Sequence, residues 1–197
     1  MKSQRKKFSK IGIMYLFVST TMILFSCQGQ ENKSNELKEE ASIEEIKLPA
    51  LNIHAAVFTG NLEATKQHIQ AGTDLNEKDQ YGSTPLSIAA TFNKTDVAMA
   101  LINGGADLNM QSADGSTPLH TSSFFCRLEI VEALLEKGAD KSIRNNYGST
   151  PLESVSGPFN EVKSIYDQIS RDLGAFGFKL DYTYLETTRP KIADMLR

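Results

Sequence analysis

A five-residue motif returns twice at a fixed interval in this chain. Gly82-Ser83-Thr84-Pro85-Leu86 recurs as Gly115-Ser116-Thr117-Pro118-Leu119 and as Gly148-Ser149-Thr150-Pro151-Leu152, each step being 33 residues. A second series keeps the same step: Gly72-Thr73-Asp74, Gly105-Ala106-Asp107 and Gly138-Ala139-Asp140. Two motifs in phase mark one supersecondary unit used repeatedly. A unit of this length is too thin to bury its own apolar face, so copies must stack, and the chain becomes a solenoid.

Each position in the unit has a physical task. The Thr hydroxyl caps free N–H groups at a helix start, and the Pro after it sits in a first turn, where its missing donor costs nothing. Leu86 and Leu119 then open a short inner helix, with Ala89 and Ala90 small enough for close packing. Val97, Leu101 and Ile102, and in the next copy Ile130, Val131, Leu134 and Leu135, follow at the spacing of a second helix. Gly105 and Gly138 stand where that helix ends. Segments such as 76–82 read as hairpin-like turns projecting sideways.

The segment resembles the Thr-Pro-Leu-His-x-Ala signature of the ankyrin repeat family. His120 fills the His position in one copy, while Ser87 and Glu153 replace it in the others. Ile53-His54-Ala55-Ala56 falls one period before Leu86, so a first repeat starts near Leu51 without its hairpin. The resemblance implies an all-α solenoid of about four repeats over residues 49–156. Residues 157–197 follow as a last outer helix and a C-terminal cap. Val162, Ile165, Tyr166 and Ile169 suggest that outer helix; 172–188 reads as irregular, and Arg189–Leu196 as a closing helix with Pro190 in its first turn.

Ahead of the repeats, Met1 to Lys10 is basic and Ile11 to Phe25 is apolar. At about 1.5 Å per residue that run spans roughly 22 Å as a helix, short of the ~30 Å hydrocarbon core, so residues 1–26 read as a signal peptide. Leu24-Phe25-Ser26-Cys27 resembles the lipobox of bacterial lipoproteins, with Phe25 bulkier than the residue commonest there. That resemblance implies cleavage before Cys27 and acyl chains on its sulfur and new amine, a stable membrane anchor. Residues 27–48 form a polar linker, with six Glu against three Lys between Gln28 and Lys47. Gln28 is not the Asp that signals inner-membrane retention in some bacteria, which favours the outer membrane within the cell envelope.

Charge narrows the partners. The chain carries 21 Lys and Arg against 24 Asp and Glu. Five of those cations lie in the leader, leaving 16 against 24 acids, a body too acidic for a phosphate backbone. Nucleic acid is therefore not the expected partner. No hydrolase, metalloprotease, P-loop or dinucleotide motif occurs, and no His has a second ligand at helical spacing. We expect no catalytic residue, no metal and no cofactor. His54 and His120 take structural positions, His68 faces solvent on an outer helix, and Cys126 behaves as a small buried hydrophobe.

The resemblance implies instead that a partner protein is gripped by hairpin tips and the inner-helix face. The tips are Gln80-Tyr81, Ala113-Asp114 and Asn146-Tyr147; the inner-helix positions are Phe58, Phe92 and Phe124-Phe125. Phe58, Gln80, Tyr81, Phe92, Asp114, Phe125, Asn146 and Tyr147 are the expected contact residues. Burial of the Phe side chains between repeats is the alternative. The chain is expected to be a monomeric, envelope-anchored interaction module. Two alternatives share that scaffold: an accessory role in peroxide protection, as in some periplasmic ankyrin proteins, and an immunity-type inhibitor of a toxin.

Overall fold

The structure, a computed structural model, describes residues 49–197. The leader (1–26), the linker (27–48) and the lipidation site Cys27 lie outside the described residues.

The described residues form nine α-helices and no strand. Three pairs repeat the period: α1 (Ile53–Thr59) with α2 (Leu62–Gln70), α3 (Pro85–Thr91) with α4 (Thr95–Asn103), and α5 (Pro118–Phe124) with α6 (Leu128–Glu136). After α7 (Pro151–Ser156) come two longer helices, α8 (Phe159–Leu173) and α9 (Tyr182–Leu196), joined through a 3-10 turn at Gly174–Phe176. Inner helices α1, α3, α5 and α7 pack in succession, and outer helices α2, α4 and α6 pack behind them. The described residues form an all-α stack of helical pairs, as the repeated motif requires.

The caps work as the motif requires. Thr84 Oγ1 accepts from the Ser87 N–H at 3.2 Å, and Thr150 Oγ1 from that of Glu153 at 3.2 Å. Glu153, the departure from the family pattern, returns a bond from its carboxylate to the Thr150 N–H at 2.8 Å, so the acid completes a reciprocal cap as well as the imidazole does. His120 does the same with Nδ1 toward the Thr117 N–H, which leaves Nε2 to donate to the Ser149 carbonyl at 2.9 Å and tie the third repeat to the fourth. His54 Nε2 reaches the Glu77 carbonyl in the same manner at 2.8 Å.

Between repeats the core is aliphatic. Leu101, Leu119, Ile130, Val131 and Leu134 are fully buried. Each such side chain contributes about 1.5–3 kcal/mol on leaving water. Gly105 and Gly138 take φ of 90° and 82° at the helix ends.

The turns contain a ladder that the pentapeptide alone does not announce. Asn76 Oδ1 accepts from the Asp107 N–H at 2.7 Å, and one period later Asn109 Oδ1 accepts from the Asp140 N–H at 2.8 Å. The tips pair too: the Ala113 N–H donates to the Gly82 carbonyl at 3.1 Å and the Asn146 N–H to the Asp114 carbonyl at 2.9 Å.

Four expectations are corrected. His68 is buried, 5% exposed, with Nε2 donating to the Leu51 carbonyl at 2.7 Å and Nδ1 beside Thr73 Oγ1 at 3.0 Å. It pins the chain entering the first repeat to α2. The place of the fourth outer helix belongs to α9, not to the helix carrying Val162, Ile165, Tyr166 and Ile169: α9 packs on α7 and α6, and its Leu185, Ile192 and Leu196 are buried. The segment 172–188 is not irregular throughout, since α8 runs to Leu173 and α9 already starts at Tyr182, and Pro190 therefore lies inside α9 rather than in its first turn. Pro190 and Glu186, the residue four back whose carbonyl loses its donor, are both exposed, so water can serve that group.

Candidate partner-binding surface

Turn chemistry sets the tips. Asp79 Oδ1 accepts from the N–H groups of Tyr81 and Ser83, and Asn145 Oδ1 accepts from those of Tyr147 and Ser149. This closed loop leaves the tyrosine ring nowhere to go but outward. Tyr81 is 75% and Tyr147 78% exposed. Gln80 is exposed beside Tyr81. Asp114 and Asn146 are exposed as well but also build the tips. Asp114 accepts from the Ser116 N–H and hydroxyl at 3.0 and 2.9 Å, and the Asn146 amide donates to the Ala113 carbonyl at 3.1 Å.

Helix α8 lies over the inner-helix face. Its Val162, Ile165 and Ile169 form one wall of a cleft of about 440 Å³ whose other wall includes Thr121 and Phe124 of α5, with Asp114 and Tyr147 also lining it. Ile165 is 49% exposed there. Tyr166 holds the helix down. Its ring stacks on Phe124 at 4.5 Å, and its hydroxyl donates to the Phe124 carbonyl at 2.6 Å. Arg189 of α9 is 3% exposed and donates to the Tyr166 oxygen at 2.8 Å and to the Gly157 carbonyl at 3.1 Å. Burial pushes the Tyr166 phenol up to about 12, so it stays a neutral donor.

The aromatic row exists, but it is not bare. Phe58 meets Phe92 edge-on at 4.8 Å, and Phe178 caps both Phe92, at 6.0 Å, and Phe125, at 5.3 Å. Phe125 is consequently only 7% exposed, which corrects its assignment as an open contact residue. Phe58 and Phe92 remain half-buried. Sequence reasoning missed Phe176 and Phe178; the available signal was an aromatic pair around Gly177 in a segment read as irregular.

Cys126 is 1% exposed, and its thiol donates weakly toward the Leu185 carbonyl at 3.8 Å. Desolvation drives its pKa up to about 11, against the opposing pull of Arg189 and Arg127. Such a thiol is a poor nucleophile at neutral pH. Among the described residues, no three of His, Cys, Asp or Glu gather as a metal site, and no helix is long and apolar enough to cross a membrane.

A family model described as ankyrin repeats, in three copies, matches residues 53–153. Protein phosphatase 1 regulatory subunit 27 of Homo sapiens and that of Mus musculus are each 41% identical over 51 residues, 26% of this chain. The match spans 33% of those relatives' length. Among solved structures, the crystallised ankyrin repeat domain of Bcl-3, a member of the IkappaB protein family, aligns with a TM-score of 0.50 and 33% identity, covering 52% of this chain and 45% of that one.

Proposed function

The chain belongs to the ankyrin repeat family, and we propose on that premise that it is a non-catalytic protein-interaction module, held at the bacterial cell envelope through lipid on Cys27. The observation that carries the reading is the pair of exposed tyrosines on the first and third of the three tips, Tyr81 and Tyr147, with an apolar cleft opening beside the second tyrosine. Large rigid rings exposed at such levels are the residue type that anchors protein interfaces, because little side-chain entropy is lost when they are covered. The relatives named as regulatory subunits of a phosphatase support a role exerted through binding.

Chemical crosslinking in intact cells tests it. Tyr81→Ala/Tyr147→Ala removes the anchors without touching the core, and the crosslinked species seen with the native chain should disappear. An unchanged crosslinking profile would overturn the surface. Cys27→Ser should release the protein from the membrane fraction; a variant still sedimenting with membranes would overturn the anchor. Support of a peroxide-detoxifying enzyme and neutralisation of a toxin are both jobs for such a module, separated by peroxide sensitivity of a deletion strain and by the neighbouring genes.

A further inference from the structure

The turn between α8 and α9 closes over the aromatic row and makes a second concavity, of about 410 Å³, that shares no lining residue with the cleft under α8. Phe58, Phe92, Phe176 and Phe178 supply its rings, Lys94, Arg127 and Lys179 its charge, and no carboxylate lines it. Phe176 stands 61% exposed and meets Phe58 edge-on at 6.2 Å. Arg127 is fixed in place, its Nε donating to the Ala90 carbonyl at 3.2 Å and one terminal nitrogen to that of Thr91 at 3.0 Å.

None of the three cations has an ion-pair partner among the described residues, where the pairs formed are Arg144–Glu153, Lys163–Asp167 and Arg197–Asp194. Glu129 and Asp181 line the neighbouring hollow that Arg127 and Lys179 also border, where Asp181 is occupied capping α9. The three cations that line this hollow are in no ion pair among the described residues, so an anion entering among its rings meets positive charge that is not already held by a carboxylate.

We propose that this hollow binds an acidic segment of a partner protein. An aromatic or large aliphatic side chain enters among Phe58, Phe92 and Phe176, and flanking Asp or Glu residues meet Lys94, Arg127 and Lys179. The inference rests on the reading of the chain as a partner-binding module. It favours a polypeptide over an anionic lipid surface because the rings line a concavity sized for a side chain, whereas a bilayer presents no protrusion to fill it.

A displayed library of short random peptides, selected on the full-length chain, tests the idea without presuming a sequence. Enriched peptides should carry acids around a bulky apolar residue, and Lys94→Gln/Lys179→Gln should weaken their binding about tenfold at low salt while flattening its salt dependence. Lys179→Glu should weaken them further, and all these variants, at an exposed Lys179 and a half-buried Lys94 that forms no ion pair among the described residues, should keep the native circular dichroism spectrum. Peptides without acid enrichment, binding unaffected by the Lys variants, or no enriched peptide at all would overturn the proposal. So would binding of the chain to vesicles of anionic phospholipid that Lys94→Gln/Lys179→Gln abolishes. Because the tips are untouched in these variants, any of those overturning results with the Tyr81- and Tyr147-dependent crosslinking intact would sink the acidic-segment proposal alone.

Discussion

Tyr166 lays its ring flat against Phe124 and gives its hydroxyl proton to the Phe124 backbone carbonyl, so one side chain fastens α8 to the end of an inner helix. Arg189 approaches the same oxygen from the other side. Three elements distant in sequence therefore meet at a single phenol, and how α8 roofs the cleft depends on that meeting.

Tyr166→Phe keeps the stacking but leaves a carbonyl and a buried guanidinium each short of a partner. Stability should fall by about 2 kcal/mol, which for a domain of this size lowers Tm by roughly 4–8 °C. Thermal unfolding followed by circular dichroism measures it. A melting point within a degree or so of the native value would mean that water replaces the phenol freely.

The pentapeptide glycines separate two effects. Gly115 and Gly148 share a left-handed backbone, φ 77° and 78°. A Cβ at Gly115 would sit 2.7 Å from the Asn146 nitrogen, whereas one at Gly148 meets nothing within 4 Å. Both Ala substitutions incur about 1 kcal/mol of backbone strain, and Gly115→Ala should lose about 1–2 kcal/mol more because two tips are forced apart. Urea denaturation of both variants gives the comparison; equal losses would show that the tips part without cost.

Burial lowers the His120 pKa below its ordinary 6.5, against the raising influence of its bond to Ser149 and of Asp114. The unfolded chain then binds the proton more readily than the folded one. Stability tied to this group is complete above pH 6.5 and declines as pH falls below it toward the lowered folded value. His120→Gln should flatten the curve just below pH 6.5, a window separate from that of Asp140, Glu153 and Asp167, whose lowered pKa values place their losses below the ordinary carboxylate range. Urea midpoints measured across pH test this, and parallel curves for variant and native chain would refute it.

With its thiol near 11 and buried, Cys126 should resist iodoacetamide at pH 8 for as long as the stack is folded and react promptly in denaturant. Mass spectrometry of the Cys126 peptide reads the difference. Rapid labelling of the native chain would show that the folded stack leaves the thiol within reach of solvent.

Much of this architecture is legible in the amino-acid order because the period repeats local chemistry: Thr-Pro-Leu specifies cap, first turn and core in one stroke. The tyrosine tips are legible for the same reason, being fixed by Asp79 and Asn145 two residues away. What the order does not disclose is choice among distant neighbours. Val162, Ile165, Tyr166 and Ile169 announce an apolar helix face without saying which surface it meets. Phe125 reads as a groove residue until Phe178, fifty-odd positions later, covers it. His68 likewise finds its partner in the Leu51 carbonyl, seventeen residues back across the whole of α1, a backbone group that no side-chain pattern announces.

Since α9 completes the fourth helical pair only after residues 157–181 have travelled across the inner face and back, the end of the array is a clasp rather than one more link. Its closure must draw a long strand of chain together before any contact rewards it, an entropic debt the upstream pairs never incur. The final pair is therefore the one whose formation rests on the longest closure, and that ties the integrity of the terminus to the helix laid upon the inner face.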